Sequence, residues 1–234
     1  MSPKLYLIPT TLGDSEINTV LPITNAEIIR KITHFIVEDI RSARRFLKKV
    51  DRTIEIDDLQ FYVLNKRTTP EELSTFLQPL LSGNDMGVLS EAGCPAIADP
   101  GADVVRMAQE KNCIVVPLVG PSSIILSLMA SGFNGQNFAF NGYLPIPDDE
   151  RVSMIKKLEK KIYNEHQTQL FIETPFRNMK LVSDILQHCA PTTKLCIATD
   201  ITLETEYIKT CTVAEWKKQM PELHKRLCIF LLYK

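Results

Sequence analysis

The stretch Ser90-Glu91-Ala92-Gly93-Cys94-Pro95-Ala96-Ile97-Ala98-Asp99-Pro100-Gly101 sets an acid in a Gly/Pro-rich loop directly after the apolar run Met86-Gly87-Val88-Leu89. Open parallel sheets bind ligands just outside the carboxyl ends of their strands, where such a loop would sit. The spacing predicts a helix running on through Ala102 to Glu110, with Asp99 as N-cap and Pro100 at the first helical position. A well-capped connection would read the same way. A second apolar run ends in Glu38-Asp39 and passes into Arg41, Arg44, Arg45 and Lys48, which fall at i, i+3, i+4 and i+7 and share one helical face. That face is either solvated surface or a phosphate-contacting stripe. Gly120-Pro121-Ser122-Ser123 is read as opening a helix whose free N–H groups and positive dipole end suit an anionic group, or as a sharp interdomain turn. In Phe171-Ile172-Glu173-Thr174-Pro175-Phe176-Arg177 the strand, acid and turn recur, and Glu173 and Arg177 either pair with each other or orient a substrate.

Several chemistries are excluded. The chain has no GxGxxG with an acidic partner and no GxxxxGK[ST], so neither dinucleotide nor P-loop nucleotide binding is supported. The 4 histidines are scattered and the 6 cysteines form no CxxC pair, which argues against a metal and for reduced, mostly buried thiols in a cytosolic protein. A formal net charge of −1 draws the chain neither to nucleic acid nor to membrane as a whole, so any such attraction is local. No run approaches the ~20 apolar residues of a membrane span, and the first ten residues do not read as a signal peptide.

The elements that must position these residues alternate. Strand-like runs at 4–8, 34–38, 61–64, 87–90 and 114–118, with helices between most of them, predict a mostly parallel, doubly wound sheet. Thr69-Pro70-Glu71-Glu72 reads as a capping box. Beyond Pro117 come a small-residue helix at 122–131, a strand at 138–141, a charged helix at 148–165, a strand at 169–173 and a helix at 178–189. A hairpin of 195–201 with 206–210, a capping-box helix at Thr212 and a last strand at 227–233 follow, making a mixed sheet. The chain, 234 residues long, is expected to form two α/β domains, 1–118 and 119–234.

Taken together, these segments resemble the tetrapyrrole methylase superfamily, and most closely its branch that methylates ribose 2′-oxygens of bacterial small-subunit rRNA. The family's first strand and Pro-x-x-x-Gly turn is matched by Leu5 to Asp14, its Glu-Asp-Thr-Arg segment by Glu38-Asp39-Ile40-Arg41, and its Ser-Asp-Ala-Gly-Thr-Pro-x-x-x-Asp-Pro-Gly loop by Ser90 to Gly101. A Pro-Gly-Pro-Ser element is matched by Val119 to Ser122 and Tyr-Glu-Ser-Pro-x-Arg by Ile172 to Arg177. The resemblance implies S-adenosylmethionine as cofactor, held in a cleft between the two α/β domains, a homodimer, and a cofactor site of Pro9, Gly13, Ser90, Glu91, Ala92, Gly93, Pro95, Ile97, Gly120, Pro121, Ser122 and Ser123. The chain departs from the family at Cys94 for Thr and Glu91 for Asp. It also has Thr199-Asp200-Ile201-Thr202-Leu203-Glu204 in place of Arg-Glu-Leu-Thr-Lys, which trades cations for anions, and lacks the extra C-terminal module common in the rRNA enzymes.

A hydroxyl acceptor calls for a general base, for which Glu91, Asp39 and Glu38 are the candidates, Glu91 first. Arg41, Arg44, Glu173 and Arg177 are the candidate substrate contacts. Three functions follow: an RNA methyltransferase of the small ribosomal subunit, a methylase of a corrin or porphyrin precursor, or a catalytically inactive S-adenosylmethionine-binding protein. Cys94 is expected to be a small filler, with no neighbouring cation to activate it.

Overall fold

The computed structural model describes residues 2–65 and 67–234, which divide into two compact units, Met1–Ser122 and Ser123–Lys234. In the first, β1 (Lys4–Ile8), β2 (His34–Val37), β3 (Gln60–Val63), β4 (Met86–Leu89) and β5 (Ile114–Pro117) form one all-parallel sheet in the order β3-β2-β4-β1-β5. The helices α1 (Ile17–Val20), α2 (Ile23–Ile29) and α3 (Ile40–Val50) lie on the leftward crossovers to β2 and β3. The rightward ones to β4 and β5 carry α4 (Pro70–Thr75), α5 (Gln78–Leu81) and α6 (Ala102–Glu110).

Because parallel crossovers are right-handed, a change of direction puts the helices on opposite faces, and the buried side chains divide accordingly. Ile29, Ile32, Ala43 and Leu47 pack with Ile8, Phe35 and Val37 on one face. Phe76, Leu77, Leu80, Val104 and Ala108 pack with Leu5, Ile36, Met86 and Val88 on the other. The capping box at α4 is present: Thr69 Oγ1 accepts from Glu72 N (3.2 Å) and Glu72 Oε2 from Thr69 N (2.9 Å). At α6 the expectation is corrected. The helix is capped by Gly101 at φ 128°, two residues after Asp99, and Pro100 lies outside it. Asp99 is engaged elsewhere, and a conformation open only to glycine makes the helix entry instead.

The second unit comprises α7 (Ser123–Ser131), β6 (Phe138–Tyr143), α8 (Asp148–Glu165), β7 (Thr168–Ile172), α9 (Asn178–His188), β8 (Lys194–Thr199), β9 (Tyr207–Thr212), α10 (Val213–Trp216) and β10 (Cys228–Tyr233). Its sheet runs β6-β7-β10-β8-β9, with β6 and β7 parallel and the other pairs antiparallel, the mixed sheet and hairpin expected from the pattern. Ile155, Leu158 and Ile162 of α8 and Leu181, Val182 and Ile185 of α9 bury against Phe171, Ile197 and Phe230. The buried Trp216 donates its indole N–H to Leu195 O (2.8 Å).

One charge is sunk into this unit. Arg151 on α8 is 3% exposed, and it donates to Asp184 Oδ2 (2.8 Å) and to the carbonyls of Pro145 (3.3 Å) and Ile146 (2.5 Å), tying the segment between β6 and α8 to α9. Removing one member of a buried pair strands the other. Arg151→Leu is expected to lower stability by ~3 kcal/mol in urea denaturation; a loss below about 1 kcal/mol would mean that Lys180, 3.3 Å from Asp184, neutralises that carboxylate alone.

Candidate functional site

In the first unit, β1 and β4 are neighbours whose crossovers leave in opposite directions, β1 toward β2 and β4 toward β5. Such a switch point opens a crevice at the carboxyl ends of the two strands. The loops that follow β2, β4, β1 and β5 therefore stand side by side, and these are the four motif segments of this unit.

They are joined to one another. Thr10 N in the loop after β1 donates to Gly93 O in the loop after β4 (2.9 Å). Gly93 has φ 76°, and a Cβ there would stand 3.1 Å from Leu12 and 3.2 Å from the Pro121 carbonyl. Gly120 lies so close to the first loop that a Cβ would come within 2.2 Å of Pro9 Cγ. Asn25 of α2 donates to Val119 O (2.8 Å), fixing the segment after β5. Pro9, Gly93, Gly120 and Pro121 are thus brought together, while in the β4 loop Ser90 Oγ accepts from Ala92 N (3.1 Å) and Pro95 is buried. Gly13 lies farther along the same turn as Pro9, Ile97 is 55% exposed in the β4 loop, Ser122 ends this unit, and Ser123 begins α7 in the other.

The carboxylates divide by partner. Asp39 is the N-cap of α3: it accepts from Ser42 N (2.8 Å), and the hydrogen bonds from Ser42 hold its carboxyl below the usual carboxylate range. The Ser42 hydroxyl donates to Glu91 Oε1 (2.7 Å), so Asp39 and Glu91 are linked through one serine. Burial pushes the Asp99 carboxyl up, against hydrogen bonds that it shares with the Ser90 and Glu38 side chains and the Glu91 backbone. Of the three proposed bases, Asp39 is committed to a helix cap and Glu38 to Asp99. Glu91 is exposed and held at one oxygen.

Ser42, Asp99 and Thr10 were not among the residues singled out. Asp99 lay inside the motif but read as a cap, Ser42 carried no sequence signal, and Thr10 was overshadowed by its Pro and Gly neighbours. The hydroxyls of Thr10 and Ser15 are buried and have no hydrogen-bond partner among the described residues. Buried hydroxyls are normally satisfied, so the turn after β1 is chemically suited to a polar ligand.

Arg41, Arg44 and Arg45 are exposed on α3, with the Arg44 guanidinium 5.6 Å from the Phe61 ring centroid and Lys48 donating to Arg52 O (3.0 Å). In the second unit Arg177 donates through Nε (2.9 Å) and Nη2 (2.6 Å) to the buried Glu173 Oε1, so those two are bonded to each other. Asp200 is similarly bonded by Arg226 Nε (2.8 Å) and Thr205 Oγ1 (3.0 Å), so the anion that replaces a family cation does not stand free. Burial raises the Cys94 thiol, which donates to the Pro121 carbonyl (3.5 Å).

Scanned against models of known protein families, the chain matches none. Among curated proteins it is similar to the ribosomal RNA small subunit methyltransferase I of Buchnera aphidicola subsp. Schizaphis graminum, 28% identical over 95% of this chain and 75% of that one. The Vibrio cholerae protein of the same name is 27% identical over 92% and 70%. The Streptococcus pyogenes one is 31% identical over 79% and 60%. Among solved structures it superposes on the methyltransferase CobJ with a TM-score of 0.65 at 13% identity over 100% of this chain and 95% of that one. The corresponding values for the cobalt precorrin-4 methyltransferase CbiF are 0.62 and 14%, over 98% and 94%. With relatives of one name matched along most of its length, and with the two-domain α/β fold of CobJ and CbiF, the chain is a methyltransferase similar to the ribosomal RNA small subunit methyltransferases I.

Proposed function

We propose that this chain binds S-adenosylmethionine on the joined loops after β1, β4 and β5 and methylates a ribose 2′-oxygen of small-subunit ribosomal RNA, working in the cytoplasm as a homodimer. The observation that carries the reading is the switch-point crevice itself, rimmed by Pro9, Ser90, Gly93 and Gly120 and holding an unpartnered buried hydroxyl at Thr10. Its donors and acceptors are largely backbone groups, which fits a ligand carrying an amino acid and a nucleoside rather than a phosphate. The names of the curated relatives support ribosomal RNA as the acceptor.

When bound, that cofactor supplies a methyl group already activated as an electrophile, so the chain's task is alignment of the acceptor with it. A ribose hydroxyl must lose its proton as it attacks, a step for which a positioned base contributes typically 10²–10⁴-fold. Glu91 fits that task. Ser42 fixes its Oε1 and leaves Oε2 to take the proton, while Asp39 fixes Ser42. Asp99, bonded to Ser90, Glu38 and the Glu91 backbone, keeps the loop that carries this base in place. Arg41 and Arg44 on α3 meet the RNA backbone under this reading.

Calorimetric titration with S-adenosylmethionine and S-adenosylhomocysteine is expected to give micromolar dissociation constants, about 8 kcal/mol of binding free energy; no heat with either would sink the cofactor assignment. Gly120→Ala drives a methyl into Pro9 and is expected to cost ~1–3 kcal/mol of stability together with cofactor affinity, read from the same titration and a thermal melt. Glu91→Gln should leave cofactor affinity within a few-fold. Single-turnover methylation of small ribosomal subunits should fall by about 10²-fold or more, and near-normal turnover would remove Glu91 as the base.

A further inference from the structure

In the second unit the turn after β7 and the segment before β10 are zipped together by hydrogen bonds. Lys225 N donates to Pro175 O (3.1 Å), and the buried Asn178 side chain donates to Leu223 O (3.0 Å) and Arg226 O (2.8 Å). Within the turn, Arg177 N donates to Thr174 O (2.9 Å) and Arg177 clamps Glu173. At the tip of this braced turn Phe176 leaves 71% of its surface in water. The His224 ring meets it at 5.8 Å and 73°, an edge contact that props the phenyl ring and leaves a face open. A large apolar ring held out on a rigid turn contributes little to the core, so its exposure points to a ligand.

The charges around it indicate which one. Glu173 and Asp200 are each bound by an arginine, Arg177 and Arg226, and Glu222 is tied to the His224 N–H (2.7 Å). Lys225, whose backbone N–H bonds the residue before Phe176, is exposed, as is His224. Tyr143, 58% exposed, closes β6 in register with Ile172, one residue before Glu173, and adds a second aromatic ring at the same end of the sheet. Exposed aromatic rings near a cation, with Glu173 and Asp200 already paired to arginines, match an unpaired nucleotide: a base to stack and a phosphate to pair.

We infer that Phe176, propped by His224, is a stacking platform for an unpaired base of the RNA acceptor, with Lys225 contacting the adjoining phosphate. This rests on the RNA reading above and adds where the acceptor is held. Phe176 is a binding residue outside the methyl-transfer machinery, and stacking tolerates any base, so it contributes grip rather than sequence choice.

The test uses the full chain with S-adenosylhomocysteine present and a fluorescein-labelled single-stranded RNA of mixed sequence, titrated by anisotropy across a salt series. Phe176→Leu is expected to weaken binding about tenfold, while Phe176→Trp retains it. Neither should change the slope of log K against log salt, because no phosphate contact is lost. Lys225→Gln should lower that slope by ~0.7. Wild-type affinity in Phe176→Leu overturns the platform while leaving the RNA reading intact. A loss of S-adenosylhomocysteine binding in that variant would also overturn it, by showing that the ring acts through the fold. Cofactor binding by the wild-type chain with no RNA affinity at all, or with affinity for a tetrapyrrole in its place, overturns the RNA reading and the platform with it.

Discussion

The order of strands in the parallel sheet is the constraint from which the candidate site follows. Hydrogen-bonding β4 between β2 and β1, and β5 outside β1, sets four loops in a row that are separated in the chain by up to about a hundred residues. Two contacts convert adjacency into a site: the Thr10 N–H on the Gly93 carbonyl, and the approach of Gly120 to Pro9, where no side chain fits. Small residues recur in these loops because the backbones themselves are in contact. A site made from such loops offers carbonyls, amide N–H groups and short hydroxyls, and that inventory suits a polar organic cofactor better than a metal.

Placing Glu38, Asp39, Glu91 and Asp99 at the ends of adjacent strands would be costly if all four carried free charge. Each has a different partner instead. Asp39 is satisfied by the start of α3. Asp99 is half-buried and sits among hydrogen bonds that include one to Glu38. Glu91 is exposed, with Ser42 bonded to one of its oxygens. The burial that raises the Asp99 carboxyl and the Ser42 hydrogen bonds that lower the Asp39 carboxyl act in opposite senses on groups carried by the loops of neighbouring strands, so the site contains carboxyls of unlike character. Under the proposed reaction the one left for proton transfer is the least constrained.

Much of the fold was legible in the chain. The alternation of apolar runs and amphipathic stretches is a local property, and so are the two capping boxes at Thr69 and Thr212, which form as their spacing predicts. The hairpin of β8 and β9 follows from two short strands with little chain between them. The Asp99-Pro100-Gly101 segment was misread because three residues each favour a helix start, and only tertiary partners decide between them; Ser90 and Glu38 take Asp99, leaving Gly101 to cap α6. Ser42 was invisible for a related reason. A serine one turn into a helix is ordinary until a carboxylate from another strand's loop arrives beside it. The pairing of Glu173 with Arg177 was foreseen as one of two outcomes because a four-residue separation allows it at short range.

Charge read along the chain proved a poorer guide than charge read in space. The replacement of family cations by Asp200 and Glu204 suggests a surface turned away from a polyanion, yet Asp200 accepts from Arg226, a residue on the approach to the neighbouring strand, and from Thr205. Arg226 also donates through Nη2 to the Thr205 carbonyl (2.5 Å), closing the β8–β9 loop onto the segment that precedes β10. The backbone is bent to make this closure, since Asp200, Thr202 and Lys225 all adopt positive φ (50°, 73° and 62°). Conformations of that kind persist in residues other than glycine only when the surroundings over-determine them, and here the over-determination is a carboxylate–guanidinium bond. The anion therefore serves to fix a cation-bearing loop in place, and its substitution for a basic residue is compatible with an acceptor that carries phosphates.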